Sequence, residues 1–458
     1  MPADEFDVVV LGGGTGGYTA AIRASQLGLR TAIVEQEKLG GVCLHKGCIP
    51  TKALLESSAL YHRVARRGAE FGLTAKEVAH DFARVAARRD AVVAQLHRGV
   101  QGLMKKNQVQ VVEAHGRLRD RNTVEAGTRR LKARQVIVAT GSSPRSLPGL
   151  EPDGERILTS DHATLASELP DSVCIIGAGA VGVEFATFYS QMGSKVILLE
   201  ALDRLVPLED DDVSKELLKQ FTAAGIECRL GARVTGAKPA RDGISVRLDE
   251  GEVWARRVLV AVGRAANSKD LGLEQAGVEL HKNGFVKVDE WMRTSAEGVW
   301  AIGDVVGGFL LAHAAGHEGI VAAEDIAGRR ATPMEQDLVT RCTFSHPQIA
   351  SVGLTQAQAV EKGHEVRVGR FPFSANGRAL IHGEPGGFAK LVADGKTGQL
   401  LGAHVIGVDA TELISEPALA RLFQGDAWEV GRNIHPHPTL SEAVGEAALA
   451  AAGAAINI

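Results

Sequence analysis

The sequence predicts an α/β fold of two wound parallel-sheet domains followed by a C-terminal α+β domain. Three observations predict it. A glycine-rich turn joins an apolar strand to a helix at the N-terminus. The same arrangement returns 165 residues later without a gap. From about residue 335 the pattern changes to strands and helices with no third glycine-rich turn. At roughly 150 residues per domain, 458 residues make about three domains, enough to bury cores without disulfide or metal staples.

The elements follow in order. Residues 6–11, FDVVVL, are apolar but for Asp7, as expected of a strand covered on both faces of a parallel sheet. The cluster Gly12 to Gly17 comes next, then a helical stretch to about Leu27, a turn at Gly28, and a strand, TAIVE, ending at Glu35. This is a βαβ unit. A helical segment spans roughly 78–106, where Val78, Phe82, Val85, Val92, Leu96, Val100 and Leu103 form a packing stripe. The strand VIVATG (136–141) runs into the turn-rich SSPRSLPG (142–149), a crossing between domains. Residues 171–200 then repeat the first unit. Gly12, Gly14, Gly17, Ser25, Gln26, Gly28 and Glu35 map onto Gly177, Gly179, Gly182, Ser190, Gln191, Gly193 and Glu200. The acidic run Glu209–Asp212 reads as a solvated helix start. A second strand ends in glycine at LVAVG (259–263), and the chain closes on an Ala-rich tail.

Each turn is a GxGxxG fingerprint after a strand, with an acidic residue 23 positions past its first glycine. The two are therefore Rossmann-like dinucleotide-binding units. The first glycine permits the tight turn, the second lets backbone approach a pyrophosphate, and the third lets helix pack on strand. The exposed N–H groups of the helix N-terminus face the phosphates. Glu35 suits a ribose diol. Glu200 suits the free 2′-hydroxyl of NAD and repels the 2′-phosphate of NADP, and only Arg204 stands near it.

Composition excludes other classes. Lys and Arg total 51 against 55 Asp and Glu, a net −4, with no basic block to suit nucleic acid. No apolar run approaches the ~18 residues of a membrane span. The acidic N-terminus lacks the regions of a signal peptide, so a cytoplasmic location is expected. Cysteines number five, too few and too scattered for a secreted scaffold. Cys174, Cys228 and Cys342 fall in strand-like stretches and read as inert small hydrophobes.

Cys43 and Cys48 are different. They stand in GGVCLHKGCIPTK, five residues apart, with Pro50 suited to the first turn of a helix. Cys48 thus lies near a helix N-terminus that favours a thiolate, and Lys52 adds positive charge one turn later. A zinc site would need four ligands and a second paired cluster. A structural disulfide is the other alternative; the pair is read as a redox-active dithiol. Near the C-terminus, HPHPTLSE supplies His437, a proton carrier near neutral pH, and Glu442, a carboxylate able to fix its tautomer. Taken alone, a His-Pro turn is more often structural.

Together GGVCLHKGCIPTK, the two fingerprints, VWAIGDV (299–305) and HPHPTLSE resemble the flavoprotein disulfide reductases, and among them the dihydrolipoamide dehydrogenases, over essentially the whole chain. The resemblance implies FAD on the first fingerprint and NAD on the second. It implies an FAD domain (1–145), an inserted NAD domain (146–275), a return segment completing the FAD domain (276–334) and an interface domain (335–458). It assigns Cys43 as the interchange thiol, Cys48 as the flavin-proximal thiol, and His437, oriented by Glu442, as the base. Lys52 would pair with Glu184 beside the flavin, and Asp304 would bind the ribityl chain. Thr140, Gly141, Ala312 and Gly263 join the cofactor contacts, and the helix near Leu311-Ala312-His313 would aim its N-terminus at the flavin ring. His346-Pro347 and His437-Pro438 resemble turns whose peptides are often cis. The implied partners are a second copy, whose cysteines His437 would meet, and the lipoyl domain and E2 core of a 2-oxoacid dehydrogenase complex. The rivals are other reductases of this scaffold, and a docking subunit without catalysis. Glutathione reductase would want basic residues in the second unit, and mercuric reductase an extra C-terminal cysteine pair.

Overall fold

A computed structural model describes residues 4–74, 76–329 and 331–457. The chain forms two compact units. The first comprises Met1–Ala53, Arg84–Arg145 and Gly263–Gln336; the second comprises Leu54–Ala83, Ser146–Val262 and Asp337–Ile458.

The first unit is built on the strand Glu5–Leu11, flanked by Thr31–Glu35 and Arg129–Val138, all parallel. Gln110–Glu113 extends the sheet beyond Thr31–Glu35. Arg129–Val138 is shared: its start pairs antiparallel with Thr123–Ala126, and its end pairs parallel with Val299–Ala301. Side chains alternate faces along a strand, so the apolar run Val8–Leu11 feeds two cores. Val8 and Val10 join the core beneath the helix Thr15–Gln26; Val9 and Leu11 join the opposite one. That double burial is why this strand lacks polar alternation.

The helix Ala312–Ile326 packs on Thr15–Gln26 at backbone distance. A Cβ added to Gly319 would stand 2.6 Å from the Gly16 carbonyl oxygen, and one added to Gly16 would stand 2.9 Å from that of Ala315. Neither position admits a side chain.

The second unit carries a parallel sheet in the order Glu227–Arg229, Lys195–Leu199, Ser172–Ile176, Arg257–Val260, Ile157–Leu158. Its C-terminal part is an antiparallel sheet, Arg341–Thr343, Gln348–Gly353, Leu400–Gly407, Phe388–Asp394, Val366–Pro372. The Ala-rich tail is a helix, Glu442–Ala451, with Ala443, Ala447 and Ala448 fully buried. A Cβ on Gly369 would stand 1.8 Å from the Ala447 carbonyl oxygen, so small residues on both sides let helix and strand touch.

Three expectations change. The acidic run Glu209–Asp212 does start a helix, with Asp210 as its N-cap, but only its second half, Asp211 and Asp212, meets solvent. Glu209 and Asp210 are buried, the first bonded to Arg341 (3.1 Å) and Ser351 (2.5 Å), the second to Lys390 (2.7 Å), itself 2 % exposed. Charges this deep persist only when paired. The predicted helical stripe is shifted: the helix is Phe82–Lys106, with Arg89, Val100 and Met104 buried, while Leu96 and Leu103 are exposed. Lastly, residues 263–275 lie with the first unit rather than the second. Arg264–Ala266 pairs with Ser142–Pro144, and the Leu118 N–H donates to the Leu271 carbonyl.

Candidate functional site

Both fingerprints fold alike. Gly12 and Gly177 have φ of +109° and +100°, in the region that favours glycine. A Cβ on Gly17 would stand 1.9 Å from the Gly12 carbonyl oxygen, and one on Gly182 the same distance from that of Gly177. Gly14 and Gly179, the N-caps of their helices, have nothing within 4 Å of where a Cβ would stand. Each therefore faces open space beside uncapped helix amides, the environment a pyrophosphate needs.

The acidic residues are held by backbone amides. Glu35 accepts from the Gly13 N–H (2.6 Å) and the Glu37 N–H (2.7 Å). Glu200 accepts from the Ala178 N–H (2.7 Å) and the Leu202 N–H (2.9 Å). Each oxygen keeps a second lone pair for a ribose hydroxyl. Arg204, four residues past Glu200, is bonded to Asp211 and to the Pro207 carbonyl. Nothing in that set favours a 2′-phosphate.

Cys43 lies in the short helix Gly41–His45, and Cys48 opens the helix Cys48–Arg67. Both are thiols. The segment is seated on the first fingerprint: the Gly40 N–H donates to the Gly13 carbonyl (2.8 Å), and a Cβ on Gly41 would stand 2.7 Å from the Gly14 Cα. The thiols share a hydrogen bond. That bond, burial and the charge of Cys48 hold the proton on Cys43, pushing its pKa well above the usual thiol range, against Thr15 and Lys52. Lys52, half-buried, thus acts electrostatically on this pair. The Tyr18 phenol is raised too, by burial first and then by the charges of Cys43 and Cys48, with Thr15 opposing through a hydrogen bond.

Beside the same cradle, Thr140 and Asn267 clasp each other: Thr140 Oγ1 donates to the Asn267 carbonyl (2.7 Å), and Asn267 Nδ2 donates to that of Thr140 (3.0 Å). Gly141 and Gly263 have φ of +71° and +106°, each with open space at its Cβ position. The Asp304 carboxylate accepts from Ser142 Oγ (2.5 Å) and lies 3.7 Å from Arg264, which also donates to Ser142 Oγ (2.6 Å). Ala312 is the first residue of its helix, whose N-cap, Leu311, offers no side-chain bond. The residues present fit a flavin dinucleotide.

In the second unit, Glu184 is 5 % exposed and accepts from the Phe344 N–H (2.8 Å). Lys52 belongs to the first unit. His437 Nδ1 lies 2.8 Å from Glu442 Oε1, while Glu442 Oε2 accepts from the Thr439 N–H (2.8 Å). Burial would raise the Glu442 pKa, but these bonds outweigh it and hold the carboxyl low. The His437 side chain is 80 % exposed within its own chain. His435, two residues earlier, is instead buried against Gly445 and bonded to Glu416 (2.8 Å). So the turn uses one histidine for structure and presents the other. Both His346-Pro347 and His437-Pro438 are cis.

Sequence reasoning missed Thr15, Ser142, Arg264 and Asn267. Thr15 stood inside the first fingerprint, and Arg264 directly follows the glycine of LVAVG. Cys174, with its thiol pushed to about 12, and Cys228, pushed to about 11, are both raised by burial, as befits strand residues. Among the described residues no group of three or more His, Cys, Asp or Glu could hold a metal, and no helix is long and apolar enough to cross a membrane.

A family model described as pyridine nucleotide-disulphide oxidoreductase matches residues 6–319, and its dimerisation-domain model matches residues 339–448. Dihydrolipoyl dehydrogenase of Bacillus subtilis (strain 168) is 48 % identical, covering 99 % of this chain and 100 % of its own. That of Zymomonas mobilis is 41 % identical, with the same coverage. The crystal structure of LpdA from Mycobacterium tuberculosis superimposes with a TM-score of 0.90 at 30 % identity, covering 96 % of this chain and 98 % of that one.

Proposed function

This chain belongs to the pyridine nucleotide-disulphide oxidoreductase family, and we propose that within it the chain oxidises dihydrolipoamide to lipoamide while reducing NAD⁺ to NADH. The observation that carries this reading is the hydrogen-bonded dithiol of Cys43 and Cys48, seated on a dinucleotide cradle and next to Lys52. FAD, when bound, takes an electron pair from sulfur and gives a hydride to NAD⁺. Gly12, Gly14, Gly17, Glu35, Thr140, Gly141, Asp304 and Ala312 would hold it. Gly177, Gly179, Gly182, Glu200 and Gly263 would hold NAD.

The chain's own residues do the sulfur chemistry. Starting from a Cys43–Cys48 disulfide, one substrate thiolate attacks Cys43, forms a mixed disulfide and releases Cys48 as thiolate. The second substrate sulfur then closes the lipoamide ring and displaces Cys43. The electron pair now rests on the enzyme dithiol. The proton stays on Cys43, and the negative charge falls to Cys48, which opens the helix Cys48–Arg67. His437 takes the proton of the attacking dithiol at Nε2, because Glu442 engages Nδ1 and fixes the tautomer.

His437 acts from the partner subunit. The support is its exposure within its own chain and its position inside the matched dimerisation segment, which makes the active unit a homodimer. The substrate is a lipoyl domain on the E2 core of a 2-oxoacid dehydrogenase complex. Function divides the chain into FAD-binding (1–145), NAD-binding (146–275), return (276–334) and interface (335–458) parts. The setting is cytoplasmic, which cell fractionation checks.

The deciding assay compares dihydrolipoamide with NAD⁺ and with NADP⁺, and oxidised glutathione with NADPH. Turnover with dihydrolipoamide and NAD⁺ is expected; faster glutathione reduction by NADPH would overturn the reading. Subunit sharing is tested by mixing His437→Gln with Cys43→Ser chains. Heterodimers should regain one working site, and no recovery despite proven exchange would place His437 beside its own cysteines.

A further inference from the structure

Among the buried carboxylates of the described residues, Glu318 has no part in the reaction as described, and its hydrogen-bond partners are neutral. It is 3 % exposed, in the helix Ala312–Ile326. Glu209 and Asp210 answer Arg341 and Lys390. Glu318 answers the Gly303 N–H, at 2.6 Å, and the Gln336 side chain. The charge of Asp304 repels it. Burial is the larger cause raising its pKa, with Asp304 adding to it and the Gly303 N–H opposing. Burying a carboxylate among neutral partners is unfavourable, so packing alone does not account for a glutamate here.

Its position does. Gly303 has φ of +71° and opens the 3₁₀ turn Gly303–Val306 that carries Asp304. The turn is held on one side by Ser142 and Arg264, through Asp304 itself. On the other side it is held by Glu318. The next residue, Gly319, touches the Gly16 carbonyl of the first fingerprint helix. One side chain therefore joins the Asp304 turn to the helix opening at Ala312 and, through Gly319, to the fingerprint.

We propose that Glu318 is a positioning residue for the flavin, fixing the Gly303–Asp304 turn so that Asp304, the Ala312 helix N-terminus and the first fingerprint meet the bound group in one geometry. This rests on the reading that Asp304 contacts FAD.

The test is reconstitution of flavin-free protein with FAD, followed by fluorescence quenching, alongside the melting temperature of the flavin-free form. Glu318→Gln keeps an acceptor for the Gly303 N–H. Glu318→Met fills the same volume without one, and avoids the cavity that Glu318→Ala would open. We expect Glu318→Met to weaken FAD binding about 10- to 100-fold, the range for a lost charge-assisted hydrogen bond, and Glu318→Gln to stay within about threefold of the unaltered chain. The effect of Glu318→Met should also shrink in an Asp304→Asn background, since both act through one turn. Equal FAD affinity for Met and Gln, or full additivity with Asp304→Asn, would overturn the proposal. A drop in melting temperature without loss of affinity would do so as well, since it describes a residue that only stabilises. If the unaltered flavin-free chain itself failed to take up FAD, the underlying reading would fall instead.

Discussion

The two fingerprints share a turn and differ in what surrounds it. Where the second has Ala178, the first has Gly13, and a Cβ there would stand 2.9 Å from Glu35 Oε2. Where the second has Val181, 38 % exposed, the first has Gly16, pressed on the Ala315 carbonyl. Gly16 thus marks the place where another helix covers the first turn, and Gly13 the place where Glu35 closes on it. An enclosed cradle suits a cofactor that stays; an open one suits a coenzyme that comes and goes. The lesson is that GxGxxG describes the phosphate contact, while the residues between the glycines describe the neighbours.

The largest expected effect separates both cradles from the sulfur chemistry. His437→Gln should lower lipoamide turnover by about 10²- to 10⁴-fold, the usual scale for a lost general base, while hydride exchange between NADH and FAD survives. Stopped-flow traces of the two half-reactions check this, and equal loss in both would place His437 outside the sulfur step.

Next comes the exchange of the distinguishing residues. Gly16→Val, which copies the second turn into the first, should cost about 1–3 kcal/mol or more by overpacking and strip bound flavin. Val181→Ala should stay within about 0.5 kcal/mol, as exposed substitutions do. Thermal melts with flavin content measure both, and equal tolerance would erase the contrast.

The acidic residues give a comparable shift in a different quantity. Glu200→Ala with basic residues at 201 and 202 should move preference from NADH toward NADPH by about 1–3 kcal/mol. Glu35→Ala should loosen flavin without changing coenzyme preference. Paired KM measurements decide it.

The smallest effect is a pH dependence within the C-terminal turn. Bonding to Glu416 raises the His435 pKa above its ordinary value of about 6.5, against the opposing effect of burial. Its contribution to stability is therefore complete below that value and lost as pH rises through the folded pKa. Melting temperature across pH 6 to 8 should fall less in His435→Asn than in the unaltered chain.

Much of this was legible in the sequence. Both βαβ units, the dithiol and the His437–Glu442 pair followed from local spacing, because each depends on residues near one another in the chain. The burial of Glu209 and Asp210 did not, since their partners Arg341 and Lys390 lie 132 and 180 residues away. Likewise the periodicity of the helix at 82–106 does not say which side is covered, and it puts Leu96 and Leu103, both exposed, on the packing face. Residues 263–275 read as part of the second unit because their strand, Arg264–Ala266, has its partner more than a hundred positions upstream.

The buried ions at Glu209, Asp210 and Lys390 also limit how freely the coenzyme-binding segment can be treated as an interchangeable cassette. Lifted out at 146–262 and grafted onto another scaffold, it would carry two carboxylates whose counter-charges stay behind at Arg341 and Lys390. The donor strands would keep Lys390 and Arg341 without these two carboxylates. A chimera that swaps coenzyme preference by transplanting this segment must therefore take the strands at 341–353 and 388–394 along with it, or neutralise both sides of the seam together.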